Sequence, residues 1–195
     1  MKLIPAVCKI TGEPARRASV LVCIAFLGMF TTTSGRAQTQ RDLAYRLQAL
    51  YLLNFLEFTE WPDSVFADRQ SPIVVGVLGT DPFAKVLEEV VQGETIGDRP
   101  ISVVQFESID HVKRCHALFF CMSERESYSS HLSRLKGWPT LTVSEIDGFT
   151  YLGGCISFYV EKGKLRFEIN MQALKDSGVT ISSKLLRFAR IVNSM

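Results

Sequence analysis

The chain has 195 residues, of which 47% are hydrophobic and 22% charged, and a formal net charge of +2. That length suits one domain able to bury its own core without metal or disulfide staples. Residues 1–37 hold five basic residues and one acid, so the other 158 carry a net charge of −2. The clustered positive charge that nucleic-acid binding needs is therefore excluded.

In chain order, Lys2, Lys9, Arg16 and Arg17 precede an apolar block from Ala18 to Phe30, and the polar segment Thr31 to Gln38 follows. This order reads as a secretory signal peptide, because the block falls short of the roughly 20 residues a membrane-spanning helix needs. The small residues of Gly35-Arg36-Ala37 set the expected cut after Ala37, giving a signal peptide at 1–37 and a domain at 38–195. Lipid attachment at Cys23 fits less well, since bulky Val22 precedes it and most of the apolar block follows it.

Asp42 to Phe58 is predicted as a helix. Leu43, Leu47 and Leu50 form one stripe on it, and Tyr51, Phe55 and Phe58 a neighbouring one. So broad an apolar surface is either buried between layers or covered by a partner. Trp61-Pro62 ends the helix. The continuous apolar run Ile73 to Leu78 suits a central strand buried on both faces. Next, Thr80 or Asp81 can cap and Pro82 can open a helix reaching about Val91.

Ile101–Phe106 and Ala117–Cys121 read as strands separated by a capped turn, Ser108 to His111. A helix from about Glu124 to Lys136 leads into a strand at Thr140–Ser144. Cys155–Val160 and Leu165–Asn170 flank Glu161-Lys162-Gly163-Lys164 as a β-hairpin. A short helix from Met171 to Asp176 is closed by Gly178, and Ser182 or Ser183 caps a last helix to about Val192. The fold class expected is a single layered α/β domain. It has a mixed, largely parallel central sheet, helices on both faces and a C-terminal hairpin followed by a helix.

After loss of Cys8 and Cys23 with the signal, Cys115, Cys121 and Cys155 are the candidates for redox or disulfide chemistry. Cys115 and Cys121 at the ends of one strand would lie about 20 Å apart, too far for a bond that needs Cα atoms within about 7 Å. A bridge from Cys155 to either one, three buried thiols, and a homodimer joined through an unpaired cysteine all stay open.

Enzyme signatures are missing: there is no Gly-x-Ser-x-Gly elbow, His-Glu-x-x-His, phosphate-binding loop or Cys-x-x-Cys. No catalytic residue, metal site or cofactor is expected. In the polar cluster His111, Cys115 and His116, strand alternation points His116 away from Cys115, which spoils a shared metal or nucleophile site. Of Glu145, Asp147 and Glu168, a solvated loop acid and a strand acid facing a neighbouring arginine are the ordinary reading. Protein binding is the remaining class. Its candidates are the aromatics Tyr51, Phe55, Phe58 and Trp61, and the basic edge Lys184, Arg187 and Arg190 of the last helix. The alternative is a small-ligand sensor holding an anion at the helix start near Gly79-Thr80-Asp81.

Several segments carry a resemblance when read in order. They are Tyr51 to Pro62 (YLLNFLEFTEWP), Gly76 to Phe83 (GVLGTDPF), Cys115 to Phe120 (CHALFF), Leu141 to Ser144 with Gly148-Phe149, Gly153-Gly154, Phe167 to Asn170, and Ser182 to Arg187. Together they resemble the YfiR-like family across nearly all of the chain after the signal peptide. The resemblance implies a periplasmic regulator that represses an inner-membrane diguanylate cyclase by binding its periplasmic sensor domain. An outer-membrane-associated sequestering protein is a further partner it implies, and related domains look like input modules of other membrane signalling proteins. Cys115 stands where the family often has a cysteine, yet Ile73 to Leu78 has none, so this chain departs from the disulfide pattern of some relatives.

Overall fold

The computed structural model describes residues 33–193, and the expected signal peptide up to Thr32 lies outside the described residues. The chain divides into two units, Met1–Arg41 and Asp42–Met195. The described part of the first unit is helical.

Helix α1 spans Thr33–Glu57, starting earlier than expected because nothing between Arg36 and Asp42 breaks a helix, so the expected cleavage point Ala37 stands inside it. It ends before the Trp61-Pro62 pair, where the chain turns into strand β1, Thr59–Glu60. The Thr59 hydroxyl donates to the Phe55 carbonyl, one of the groups a helix end leaves without a partner.

β2 occupies Ile73–Leu78, the predicted run. Helix α2, Phe83–Val91, opens at Pro82 without a side-chain cap. β3 (Thr95–Ile96) and β4 (Arg99–Phe106) follow, then β5 (Ala117–Phe120). Helix α3 is only Tyr128–Arg134, shorter than the expected Glu124 to Lys136, because Glu124 ends a separate 3-10 turn, Met122–Glu124. β6 is Leu141–Ser144, and β7 (Ile156–Glu161) and β8 (Lys164–Asn170) form the predicted antiparallel hairpin. Its turn has positive φ at both Lys162 (51°) and Gly163 (72°), the mirror-image turn that matches the twist of paired strands.

Helix α4, Met171–Ser177, is capped by the Asn170 side chain and closed by Gly178 at φ 69°. Strand β9 is Thr180–Ile181. Helix α5 covers only Ser183–Leu186, with the Ser182 side chain capping it. The expected continuation to Val192 is a strand instead, β10, Arg190–Val192. Its β-branched Ile191 and Val192 pair in parallel with Ile169 and Asn170, which gives the outer edge of β8 hydrogen-bond partners.

The main sheet has eight strands in the order β10-β8-β7-β6-β5-β2-β4-β3, parallel except at the β7–β8 and β3–β4 pairs. From β2 the chain winds outward to β4, then crosses back to β5 and β6 on the other side. Alternate residues of each central strand feed two cores. Val75, Val77, Phe119 and Val143 pack with Leu52, Phe55 and Leu56 of α1, Phe83 and Leu87 of α2, and Leu174 of α4. Leu78, Leu118 and Phe120 face the opposite side, with Ile109, Leu132, Leu135 and Phe149. Burial on both faces is why these strands read as unbroken apolar runs. At Gly76 a Cβ would stand 2.7 Å from the Leu118 side chain, so the second layer approaches β2 through the missing side chain.

Candidate functional site

The two stripes of α1 have opposite fates. The aromatic one is turned inward: Phe55 is entirely buried, and its ring packs at 5.5 Å from Phe158 and 4.9 Å from Phe167. Tyr51 contacts the same two rings, and Phe58 and Trp61 are half-buried against the core. Phe55 therefore leaves the set of candidate partner contacts, because the sheet already takes its whole side chain. The leucine stripe points to solvent, with Leu43 69%, Leu47 42% and Leu50 49% exposed. Residues spaced by three and four along one helix face form a continuous apolar strip, which water disfavours unless something covers it.

The second candidate group is broken up as a helix edge. Lys184 lies in α5 and Arg187 just after it, whereas Arg190 belongs to β10. What remains is brought beside the aromatics by a contact that no periodicity reveals. β1 and β9 pair antiparallel, Thr59 with Ile181, and the Ser182 N–H donates to the Phe58 carbonyl at 2.9 Å. The end of α1 and the start of α5 are thus joined, so exposed Lys184, Arg187 and Phe188 follow directly from the junction.

Arg190 has a structural role in the fold. Its guanidinium lies 3.9 Å over the Tyr159 ring, and its Nε donates to the Glu168 carboxylate at 2.9 Å, with Nη2 donating to the same oxygen. The other Glu168 oxygen accepts from the hydroxyl of fully buried Thr150. Glu168 is the strand acid facing a neighbouring arginine that its position suggested. Glu145 accepts from the Gln48 side chain at 2.7 Å, and Asp147 is exposed.

In doubly wound sheets ligands sit beyond the strand ends where the winding reverses, here the ends of β2 and β5. This chain fills that place with its own groups. The Thr80 N–H donates to the Ser123 hydroxyl at 3.2 Å, and the Ser123 N–H donates to the Asp81 carboxylate at 3.1 Å. The Gly79 carbonyl accepts from Gln105 at 3.0 Å, and a Cβ on Gly79 would stand 2.4 Å from Ser123 Oγ. The amide an anion would use at Thr80 is already bonded, and the nearby Asp81 carboxylate would repel it. Asp81 bonds Ser123 and does not cap α2, whose start carries no side-chain cap.

Cys115, Cys121 and Cys155 are free and buried. Burial pushes the Cys115 thiol up to about 12 and raises Cys121 and Cys155 as well, with Asp81 adding to the rise at Cys121. All three are protonated thiols at neutral pH, the unreactive form. Cys115 belongs to the core on one sheet face, Cys121 and Cys155 to the core on the other. Cys121 is also two strands from Cys155, about 9.6 Å across the sheet, which already exceeds disulfide reach. His116 sits apart from Cys115 in an aromatic setting, stacked on Phe66 at 4.6 Å, and His111 is exposed. Among the described residues, no group of three or more His, Cys, Asp or Glu side chains is arranged to hold a metal ion.

Sheet order and layering define a doubly wound α/β domain whose ligand crevice is sealed and whose first helix leaves an apolar strip uncovered. The chain belongs to the YfiR/HmsC-like family, whose profile matches residues 45–190. Members of that family are periplasmic regulators concerned with cyclic di-GMP signalling rather than enzymes. No curated protein matches the chain in sequence. Among solved structures, the chain is similar to an ABC domain in complex with L-Trp from Streptococcus pneumonia, at 12% identity and a TM-score of 0.47, over 61% of this chain and 55% of that one. A conserved domain protein from Vibrio cholerae is similar at 10% identity and a TM-score of 0.47, over 63% of this chain and 55% of that one. At that level neither adds to the assignment. Among the described residues, no helix is long and apolar enough to cross a membrane.

Proposed function

We propose that this chain is exported by residues 1–37 and acts in the periplasm by binding the sensor domain of an inner-membrane diguanylate cyclase, which it holds in the inactive state. Family membership supports the setting. The observation that carries the binding step is the exposed strip Leu43, Leu47 and Leu50, on a helix whose other side is already committed to the core. Trp61, Phe58, Lys184 and Arg187 at the α1–α5 junction make a second contact, with aromatic and basic side chains of the kind that dominate interface energies.

Repression then works as a population shift. The regulator binds the inactive sensor more tightly than the active one, and the shift is no larger than that difference in affinity. A 10²-fold preference corresponds to about 2.7 kcal/mol and suffices for a switch. Relief follows when a second protein, associated with the outer membrane, competes for the regulator. Among the described residues, the cysteines are buried, protonated thiols and offer no exposed redox trigger.

The test is photocrosslinking from Leu47 in intact cells, combined with cellular cyclic di-GMP in a deletion strain. Recovery of a membrane diguanylate cyclase and a rise in cyclic di-GMP on deletion are expected. Recovery of neither would overturn the reading.

A further inference from the structure

One edge of the main sheet lacks a neighbour over most of its length. β4 pairs in parallel with β2 on one side, Ile101 to Phe106 against Ile73 to Leu78. On the other side β3 covers only Arg99 and Pro100. The Gly79 N–H donates to the Phe106 carbonyl at 2.9 Å, so the main-chain groups of Phe106 point towards β2. Successive residues of a strand direct these groups to opposite sides. Ser102 and Val104 therefore also bond β2, whereas Val103 and Gln105 direct theirs outward. Among the described residues, no strand or loop bonds the outward groups of Val103 and Gln105.

An exposed strand edge is a template for pairing, and proteins that keep an edge single blunt it with charges, proline or a bulge. From Ile101 to Phe106 the residues are Ile-Ser-Val-Val-Gln-Phe, without a charge or a proline. Val103 is half-buried, Gln105 exposed and Val104 37% exposed. Gln105 turns its side-chain amide back onto the Gly79 carbonyl at 3.0 Å instead of over the edge. Beside the edge, a groove is lined by Ile101 and Val103 of β4 and by Lys85, Glu88 and Glu89 of α2. Lys85 precedes the two glutamates by one helical turn, and Glu89 also pairs with Arg46.

We propose that this edge is the interface of a homodimer, in which β4 of a second copy adds antiparallel to β4 about a two-fold axis at Val104. Val103 of each copy then lies opposite Gln105 of the other and exchanges both hydrogen bonds with it, which satisfies the outward groups the single chain leaves unpaired. The register follows from the strand ends. An axis one residue earlier would put Phe106 of the second copy opposite Pro100, a place Thr95 already holds. An axis one residue later would set Val103 against Glu107, beyond the end of β4. The two-fold also runs the α2 helices antiparallel, so the Lys85 end of each faces the glutamate end of the other. That complementarity selects a second copy as the occupant. The interface uses neither the leucine strip nor a cysteine, and the proposal does not rest on the cyclase reading.

The test is sedimentation of the chain lacking residues 1–37, under reducing conditions, from about 1 to 500 μM. Hydrogen exchange at single amides is read by NMR at both ends of that range. The parent is expected to pass from monomer to dimer, with the Val103 and Gln105 amides gaining roughly tenfold protection while those of Ser102 and Val104, already bonded to β2, change little. Val104→Lys sets two like charges on paired Cα atoms about 4.5 Å apart and should remain monomeric where the parent is dimeric. A parent that stays monomeric throughout, or a dimer whose Val103 and Gln105 amides exchange as in the monomer, would overturn the proposal whatever the variant does. A folded Val104→Lys variant that still dimerises would overturn it as well.

Discussion

Replacing Leu43, Leu47 and Leu50 together with glutamine removes the apolar strip while keeping good helix formers on α1. The three exposures, 69%, 42% and 49%, amount to about 1.6 leucine side chains still in contact with water. Full burial of one leucine is worth about 1.5–3 kcal/mol, so covering the strip contributes roughly 2.5–5 kcal/mol to a complex. In affinity that is about 60- to 4,000-fold. The assay is calorimetric titration of the variant against the purified periplasmic domain of the cyclase recovered by crosslinking, with urea unfolding of the free variant alongside. The part of the three leucines already buried in the free domain, about 1.4 side chains, limits the loss of stability to at most roughly 2–4 kcal/mol, and the aliphatic stems of the glutamines keep some of it. Unchanged affinity in a folded variant would refute the docking role. A variant that fails to fold would refute the exposure on which the reasoning stands.

Three further outcomes test the fold around the surface. Gly154→Ala puts a Cβ 2.1 Å from the ring of fully buried Phe149, so overpacking should cost about 1–3 kcal/mol in urea unfolding. An unaffected midpoint would mean the loop has freedom the packing denies it. Glu168→Ala strips the acceptor from buried Thr150 and should cost about 2–3 kcal/mol. Most of that comes from Thr150, because the Arg190 partner is 50% exposed and solvent screens it. Native-state hydrogen exchange should show β10 opening first. Finally, His116 has a folded pKa below its unfolded value, through burial and then Arg99, with Phe66, Trp61 and β2 as its other neighbours. Its stability contribution is complete above the unfolded value of about 6.5 and is lost as pH falls from there through the lower folded value. Melting temperature should therefore drop on acidification below about pH 6.5, and a flat profile in that window would contradict the burial of the neutral ring.

Strand periodicity, hairpin position, the Gly178 stop and the Ser182 cap could be read from the chain, because each depends on neighbours a few residues away. The same holds for the layered α/β class: an apolar run such as Ile73–Leu78 has only a doubly buried place to go. The acid–arginine pairing of Glu168 was visible as a type of contact, though not with Arg190 as its partner.

Which stripe of α1 faces inward was not legible. Leu43, Leu47 and Leu50 are spaced like Tyr51, Phe55 and Phe58, and local geometry ranks neither; only the aromatic pocket formed by Phe158 and Phe167 decides it. The fate of Arg190 to Val192 was hidden in the same way. Those residues suit a helix end until β8 offers an unpaired edge more than twenty residues back in the chain, and backbone pairing then outweighs helix continuation. Closure of the sheet crevice and the burial of the His116 ring also depend on loops that meet only in three dimensions. Sequence determined the elements whose energetics are local and the compartments of the core; tertiary structure decided which faces remain for a partner, because exposure is set by what the rest of the chain has already covered.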